Sequence, residues 1–501
     1  MGTFATTGSL STARYAHTAT LLPNSEVLAI GGVASSGDTA TSELYEPAAL
    51  TPSGLVSISL GASSQVVVIG STDDLTATGT FSGNVQEVLA SAIWSSSNAA
   101  VATVTNDSTN YGKAYGVASG TTTIKACAGS ICGSTTMTVI PHESVILGDR
   151  YTSPNASTSW EIYDDSGNLL HYGSNLSNPL ANQTAVRMNN GNIFVAGGAY
   201  DTTLWEILSI ASGQPQVVAS GILQQGRDGS FGTLLPNGNV FIGGGGVGGG
   251  ADTWEIYTPT GELVSTGSLS GVRTAGASVV VLQNGNLWIS GSYFTNGDAC
   301  TWEIRDQSGN LVTSGQYEYS CFGGGKLQVL GNGNVFVVGG GNQESSYEIW
   351  SPTGTFVRNG SLNYGAFNNG AAAVSLDGGN EMMILGSCEP NATPPSEEYQ
   401  DEFMTTDNIQ TVTCDLIGAD EGWDFIGFDS NSNITFETPG TLLDQRNGAR
   451  VDVTATGDVF IAGGGFDPST WEMWAPSGTT MKMVGNGNLY FTHYGGSITH
   501  Y

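Results

Sequence analysis

Charge is scarce in this chain, and positive charge scarcer still. Of 501 residues, 11% are Asp, Glu, Lys or Arg, and 13 Lys and Arg stand against 44 Asp and Glu, for a formal net charge of -31. Such a surface repels nucleic acid and anionic lipid, so neither is expected as a partner. No apolar run is long enough to span a membrane. The opening MGTFATTGSL lacks the charged and apolar blocks of a secretory leader, so a mature chain without its leader is expected. Histidine is confined to His17, His142, His171, His493 and His500 in scattered contexts, which read as surface or turn positions rather than a copper or zinc centre. There is no HExxH, and no GxSxG in a strand-turn-helix context. Only six cysteines occur, as three local pairs: Cys127 with Cys132, Cys300 with Cys321, and Cys388 with Cys414. An even count without CxxC spacing points to three local disulfides, and so to an extracellular or cell-surface location.

What the chain has in excess is glycine, 72 residues of it. The stretch NVFIGGGGVGGGADTWEIY (239-257) invites comparison with a phosphate-binding loop, but such a loop must lead into a helix. Here the glycines lead into WEIY, another strand. The phrase recurs as NIFVAGG then LWEIL, NLWISGS then TWEIR, NVFVVGG then YEIW, and DVFIAGG then WEMW, with weaker copies at 27-47, 145-164 and 382-428. Gly148, Gly197, Gly243, Gly291, Gly339 and Gly386 follow one another at intervals of 49, 46, 48, 48 and 47 residues. The longer gaps, 77 to Gly463 and 117 back to Gly31, mark insertions. Within a period an apolar strand, an NGN turn, a second strand, glycines, an aromatic-acid strand, a further turn and a last strand follow in order. That is a four-stranded antiparallel sheet, and sheets of this kind stacked around an axis make a β-propeller, here of seven or eight blades with almost no helix.

The N-terminal unit TGSLSTARYAHTATLLPNSEVLAIGG followed by SELYEP resembles bacterial kelch repeats, and the resemblance extends over about residues 3-47 and 141-476. It implies a kelch-type propeller of the galactose oxidase fold family, which contains both secreted copper oxidases and pure binding modules. No tyrosine-histidine copper constellation can be matched residue by residue, so the resemblance stops at the fold. Between these regions, WSSSNAAVATV followed by GVASGTTTIKA is similar to bacterial Ig-like group 2 domains, modules common in adhesins and surface stalks. The expected organisation is therefore a propeller unit at 1-50, an inserted Ig-like β-sandwich at 51-140, the remaining blades at 141-478, and a terminal strand segment at 479-501. TFATTGSL matches the fourth strand of a unit, while MKMVGNGNLYF resembles another inner hairpin. The ends could close the ring or exchange between subunits into a head-to-tail fibre.

An acid recurs beside the aromatic of each third strand: Glu43, Glu161, Glu206, Glu255, Glu303, Glu348, Asp424 and Glu472. In four units an arginine stands four residues after an apolar anchor, at Arg14, Arg227, Arg273 and Arg446. Acids and arginines at fixed offsets suggest structural pairs within or between blades rather than a carboxylate ring for cations. The repeated tryptophans read as blade packing. No cofactor is expected; the nearest alternative is calcium, at DSNSN from Asp429 or at the acidic loop with Glu397, Glu398, Asp401 and Glu402. The resulting expectation is a secreted, non-enzymatic, structural or adhesive surface protein whose partners are itself or surface glycans and proteins. The alternatives are a glycan-binding module, which needs an exposed aromatic and polar cluster, and a galactose oxidase-like enzyme.

Overall fold

The computed structural model describes residues 10-21, 27-45, 51-61, 66-89, 92-107, 111-148, 158-198, 202-245, 251-274, 276-291, 300-318, 325-339, 346-362, 372-387, 422-444, 446, 449-464, 469-493 and 497-499. Among them strands dominate, with a 3-10 turn at Asp377–Gly379. The chain divides into two compact units, Met1–Pro141 and His142–Tyr501.

Among the described residues the second unit contains seven four-stranded antiparallel sheets. In the third, Phe231–Leu234, Val240–Gly243, Thr253–Tyr257 and Leu263–Ser268 pair in sequence order, and the second, fourth, fifth, sixth and seventh sheets repeat that order. The second strands, such as IFVA, VFIG, LWIS and VFVV, are buried at every position. They lie between neighbouring sheets on both faces, which is why they read as unbroken apolar runs rather than alternating ones. Outermost strands such as LVSTGS alternate between half-buried and exposed positions, as one-sided strands should. The first strand of each sheet touches the first strand of the next. This chain of contacts returns from Arg450–Val453 through Ser497–Thr499 to Thr184–Arg187, so the seven sheets form a closed, propeller-like ring.

Closure falls to the C-terminus. The first sheet takes Glu143–Leu147, Trp160–Asp164 and Leu169–Gly173 from its own stretch of chain, and its innermost strand is Ser497–Thr499. Two sequence expectations change as a result. Thr18–Leu21, Val27–Ile30 and Ser42–Tyr45, expected to belong to a propeller blade, make a three-stranded sheet of their own in the unit Met1–Pro141. MKMVGNGNLYF is no inner hairpin, because Thr480–Asn488 runs unbroken as the outermost strand of the seventh sheet. The turn forms earlier, where Gly478 has φ 64, and the long strand Thr470–Ser477 pairs along the whole of its partner.

One glycine position explains why the repeat cannot vary there. Gly244 has φ 65, and a Cβ on it would lie 2.3 Å from the carbonyl oxygen of Arg273 in the following sheet. Neighbouring sheets approach too closely at that point for any side chain.

In the first unit, the Ig-like segment builds a sheet from Ile93–Ser96, Gly120–Ala128, Ile131–Ile140 and Val66–Val68, the last pairing parallel. Two three-stranded sheets accompany it, and Trp94, Ile124 and Met137 lie at the heart of its core. Cys127 and Cys132 face each other across the Gly120–Ala128/Ile131–Ile140 hairpin and form a disulfide. Cys300 is also disulfide-bonded, whereas Cys321, Cys388, Cys414 and the acidic loop at 397-402 lie outside the described residues. Replacing both Cys127 and Cys132 by serine is expected to remove roughly 2 kcal/mol from the first unit, the entropy of a short closed loop. Differential scanning calorimetry should show one transition shifted down and that of the ring unmoved.

Candidate functional site

The repeat acids are buried in the ring: Glu161, Glu255, Glu303, Glu348, Asp424 and Glu472 are 0% exposed and Glu206 6%. A buried carboxylate is tolerated only with partners, and these find them within their own sheets. Glu255 accepts hydrogen bonds from the backbone N–H groups of Gln224 (2.8 Å) and Gln225 (3.3 Å), from Arg227 Nη2 (2.9 Å), and from the Tyr257 hydroxyl (2.6 Å). Arg227 is itself fixed by donating to the carbonyls of Gly244 (2.8 Å) and Thr253 (3.0 Å). Arg446 meets Glu472 at 3.1 Å and the carbonyls of Gly463 and Thr470 in the same way. Arg273 lies 3.8 Å from Glu303, whose closer ionic partner is Arg305 at 2.7 Å. Arg14 and Glu43 pair in the N-terminal sheet with the same carbonyl contacts, at Gly31 and Thr41.

Two partners of this cluster went unnoticed in the sequence. The first is the residue two positions after the acid, a donor in five of the sheets: Tyr163, Tyr257, Arg305, Trp350 and Trp474. The pattern was available as EIY, EIR, EIW and EMW, because residues two apart on a strand share a face. The second is His493. It follows Leu489 by the same four residues that separate Leu10 from Arg14, Leu223 from Arg227, Leu269 from Arg273 and Leu442 from Arg446. Its Nε2 lies 2.9 Å from Glu161 and its Nδ1 2.9 Å from the Gly148 carbonyl, and it is 3% exposed. Both ring nitrogens meet oxygen acceptors, an arrangement that an imidazolium satisfies with two N–H donors. Tyr490 and Phe491 donate their backbone N–H groups to Glu161 at 2.9 and 2.7 Å. The C-terminal segment thus carries to the first sheet the clamp that the arginines provide elsewhere.

The sheets without such a cation differ. The second has Leu180 where the arginine would stand, and Glu206 is met by Asn178 at 2.6 Å and Ser177 at 3.3 Å. Burial there pushes the Glu206 carboxyl above its usual range. On the inner strand Lys326–Val329, burial, with the Arg450 charge adding to it, brings the Lys326 amine down to about 8. Asp429, at the start of the DSNSN stretch, organises a strand turn. Its carboxylate accepts from the backbone of Asn431 and Asn433, as Asp306 does from Ser308 and Asn310.

The outer end of the first sheet, where it meets the second, holds an open groove of about 450 Å³. Trp160, His171, Tyr172 and Asn175 of the first sheet and Ser212 and Gln214 of the second line it. The groove arises where the repeat changes length. From the third-strand tryptophan to the fourth-strand glycine is 13 residues for Trp254 and Gly267, and for Trp302 and Gly315, but 16 for Trp205 and Gly221. At the next junction the turn glycine Gly261 packs on Trp205, so closely that an added Cβ would sit 2.2 Å from the ring. In the lengthened turn of the second sheet, Gly213 lies against His171 instead. The Trp160 indole N–H donates to Asn175 Oδ1 at 2.8 Å. Tyr172, 48% exposed, packs on Tyr490, 55% exposed, with ring centres 3.7 Å apart and planes tilted by 31°.

Comparison with known proteins identifies the Ig-like segment. Residues 56-139 match the bacterial Ig-like domain (group 2) family model. Ice-binding protein 1 of Shewanella frigidimarina is 42% identical over 86 residues, 17% of this chain. The match spans only 9% of that protein's length, so nothing of the whole relative's activity transfers with it. Among solved structures, a periplasmic gluconolactonase of Pseudomonas aeruginosa has 12% identity and a TM-score of 0.48, covering 72% of this chain and 99% of its own. A Lactobacillus plantarum protein has 11% identity and a TM-score of 0.47 over the same shares, 72% and 99%. A fungal alcohol oxidase of the AA5 family, solved with copper, has 16% identity and a TM-score of 0.45 over 70% of this chain and 72% of its own. What those proteins act on says nothing about this one at such identity.

The seam gives a signed pH prediction. Burial raises the Glu161 carboxyl, but the His493 hydrogen bond and charge, with Tyr163 and the Tyr490 N–H, bring it below its ordinary 4.5. A carboxyl lowered by folding contributes stability in full above its unfolded value, and that contribution is lost as the pH falls through the folded one. The thermal midpoint of the ring should therefore fall below pH 4.5, and Glu161→Gln should flatten part of that limb. His493→Leu, which leaves Glu161 without its cation, should cost about 3 kcal/mol by thermal denaturation at neutral pH, while His493→Arg should cost much less.

Proposed function

We propose that the protein is an extracellular surface component. In this reading the closed ring of sheets is a rigid, non-catalytic binding head, and the Ig-like domain is an accessory module of the kind found in surface stalks. The observation that carries it is the Ig-like group 2 match over residues 56-139, in a segment stapled by the Cys127–Cys132 disulfide. Disulfides persist in oxidising compartments, and the net charge of -31 favours a solvated, non-aggregating exterior. The repeat phrase supports a kelch-type reading of the ring. The engagement of Glu161, Glu255, Glu303 and Glu472 by backbone and basic partners supports a scaffold role for those acids rather than chemistry on a substrate. Pairing of Ser497–Thr499 with Glu143–Leu147 in the same chain supports ring closure over exchange between subunits.

Protease shaving of intact producing cells, followed by fractionation, tests the location. Release of the chain from the surface is expected, with weaker attachment of cells that lack the gene. Recovery only in the cytosol would overturn the reading. Size-exclusion chromatography at high concentration should find a monomer, and removal of residues 489-501 should lower the thermal midpoint of the ring without changing that state. Fibres formed by the intact chain and abolished by the truncation would instead support strand exchange.

A further inference from the structure

We propose that the groove between the first and second sheets binds a neutral saccharide, with Tyr172 against the face of a sugar ring and Asn175, His171 and Gln214 hydrogen-bonding its hydroxyls. This deepens the reading of the ring as a binding head and rests on it. The chemistry of the lining selects the class. A sugar offers an apolar C–H face and a dense rim of hydroxyls that both donate and accept. It is matched by an aromatic plane beside amides and an imidazole, which also do both. Tyr172 offers that plane at 48% exposure, and Asn175, His171, Ser212 and Gln214 surround it. Neither lysine nor arginine lines the groove, so a sulfate, phosphate or uronate has no cation to meet, and the net charge of -31 repels polyanions at long range.

The site is also held in shape before any ligand arrives. Among the described residues, the indole N–H groups of Trp254 and Trp302 meet no acceptor, whereas that of Trp160 holds the Asn175 amide by its oxygen. That contact fixes which way the amide faces and leaves its N–H donors for another partner. Tyr490, carried by the closing segment, braces the far side of Tyr172 at 3.7 Å. The aromatic wall is therefore complete only when the ring is closed. Fixing such groups in advance removes an ordering cost that a ligand would otherwise bear. The volume, about 450 Å³, falls within the usual range of small-molecule sites.

Native affinity electrophoresis of the full chain tests this, with gels containing a mixed-linkage β-glucan, a galactomannan, an arabinoxylan or dextran, and hyaluronate as the anionic control. At least one neutral polysaccharide should retard the protein and hyaluronate should not. Tyr172→Ala and Gln214→Ala should each weaken the retardation by about tenfold in apparent Kd, while Tyr172→Phe keeps it. Gln214→Ala lies on the turn of the second sheet, away from the Tyr490 contact, so its loss of binding cannot be put down to a loosened seam. Three results would overturn the proposal: no retardation by any of the four neutral polymers, retardation unchanged in both alanine variants, or stronger retardation by hyaluronate. If shaving places the chain on the surface while none of the neutral polymers retards it, the saccharide proposal fails and the surface reading stands.

Discussion

A carboxylate buried in the third strand of each sheet is the constraint on which the ring depends. An unpaired charge at that depth is untenable, so such an acid gathers polar partners around it. Glu255 collects two backbone N–H groups, one arginine and one tyrosine, and Glu472 two backbone N–H groups, one arginine and one tryptophan. The backbone donors belong to the segment leading into the sheet's innermost strand. The acid in the third strand therefore fixes where the first strand enters. Apolar burial between sheets supplies the driving force for stacking but little direction, and the acid supplies the registration.

The same device explains how the ring is shut. A closed ring must join its ends, and here the joining segment brings a copy of the clamp with it: Leu489 as anchor, Tyr490 and Phe491 as backbone donors, and His493 in the arginine's place. The strand that follows, Ser497–Thr499, is only three residues long and makes few ladder bonds. Much of the specificity of closure consequently lies in the clamp and in the packing of the last sheet against the first, where Trp471 meets Gly167 and Phe460 meets Tyr163. Histidine stands here where the other described clamps carry arginine, with one ring nitrogen on Glu161 and the other on the Gly148 carbonyl.

Where the repeat is regular, tryptophan packs on the turn glycine of the next sheet and leaves no space. Where the turn lengthens, as in the second sheet, the glycine moves away and a polar, aromatic-walled groove remains. Scaffold and candidate site are therefore set by the same repeat, one by its regularity and the other by its departure from it. The Ig-like unit is built on a different plan, a sandwich around Trp94, Ile124 and Met137 with a cross-strand disulfide.

The period of 46 to 49 residues, the NGN turns and the unbroken apolar second strands were enough to determine an all-β ring of four-stranded sheets, because each reports a local requirement of backbone or burial. The WSSSNAAVATV segment marked the Ig-like insertion in the same way. The acids and arginines could be read as pairs from their fixed offsets alone. Tertiary structure decided the rest. Thr18–Leu21, Val27–Ile30 and Ser42–Tyr45 carry the repeat's local pattern yet pair only with one another, since a local pattern does not say which sheets become neighbours. GNGN at 485-488 lies within a strand although the same letters turn elsewhere, because the long third strand beside it offers partners along its whole length. In the sequence His493 is one of five scattered histidines, and no local pattern marks the groove. Both depend on groups distant in sequence, His493 lying 332 residues from Glu161 and Tyr172 packing on Tyr490, and only closure of the ring brings such groups within reach of each other.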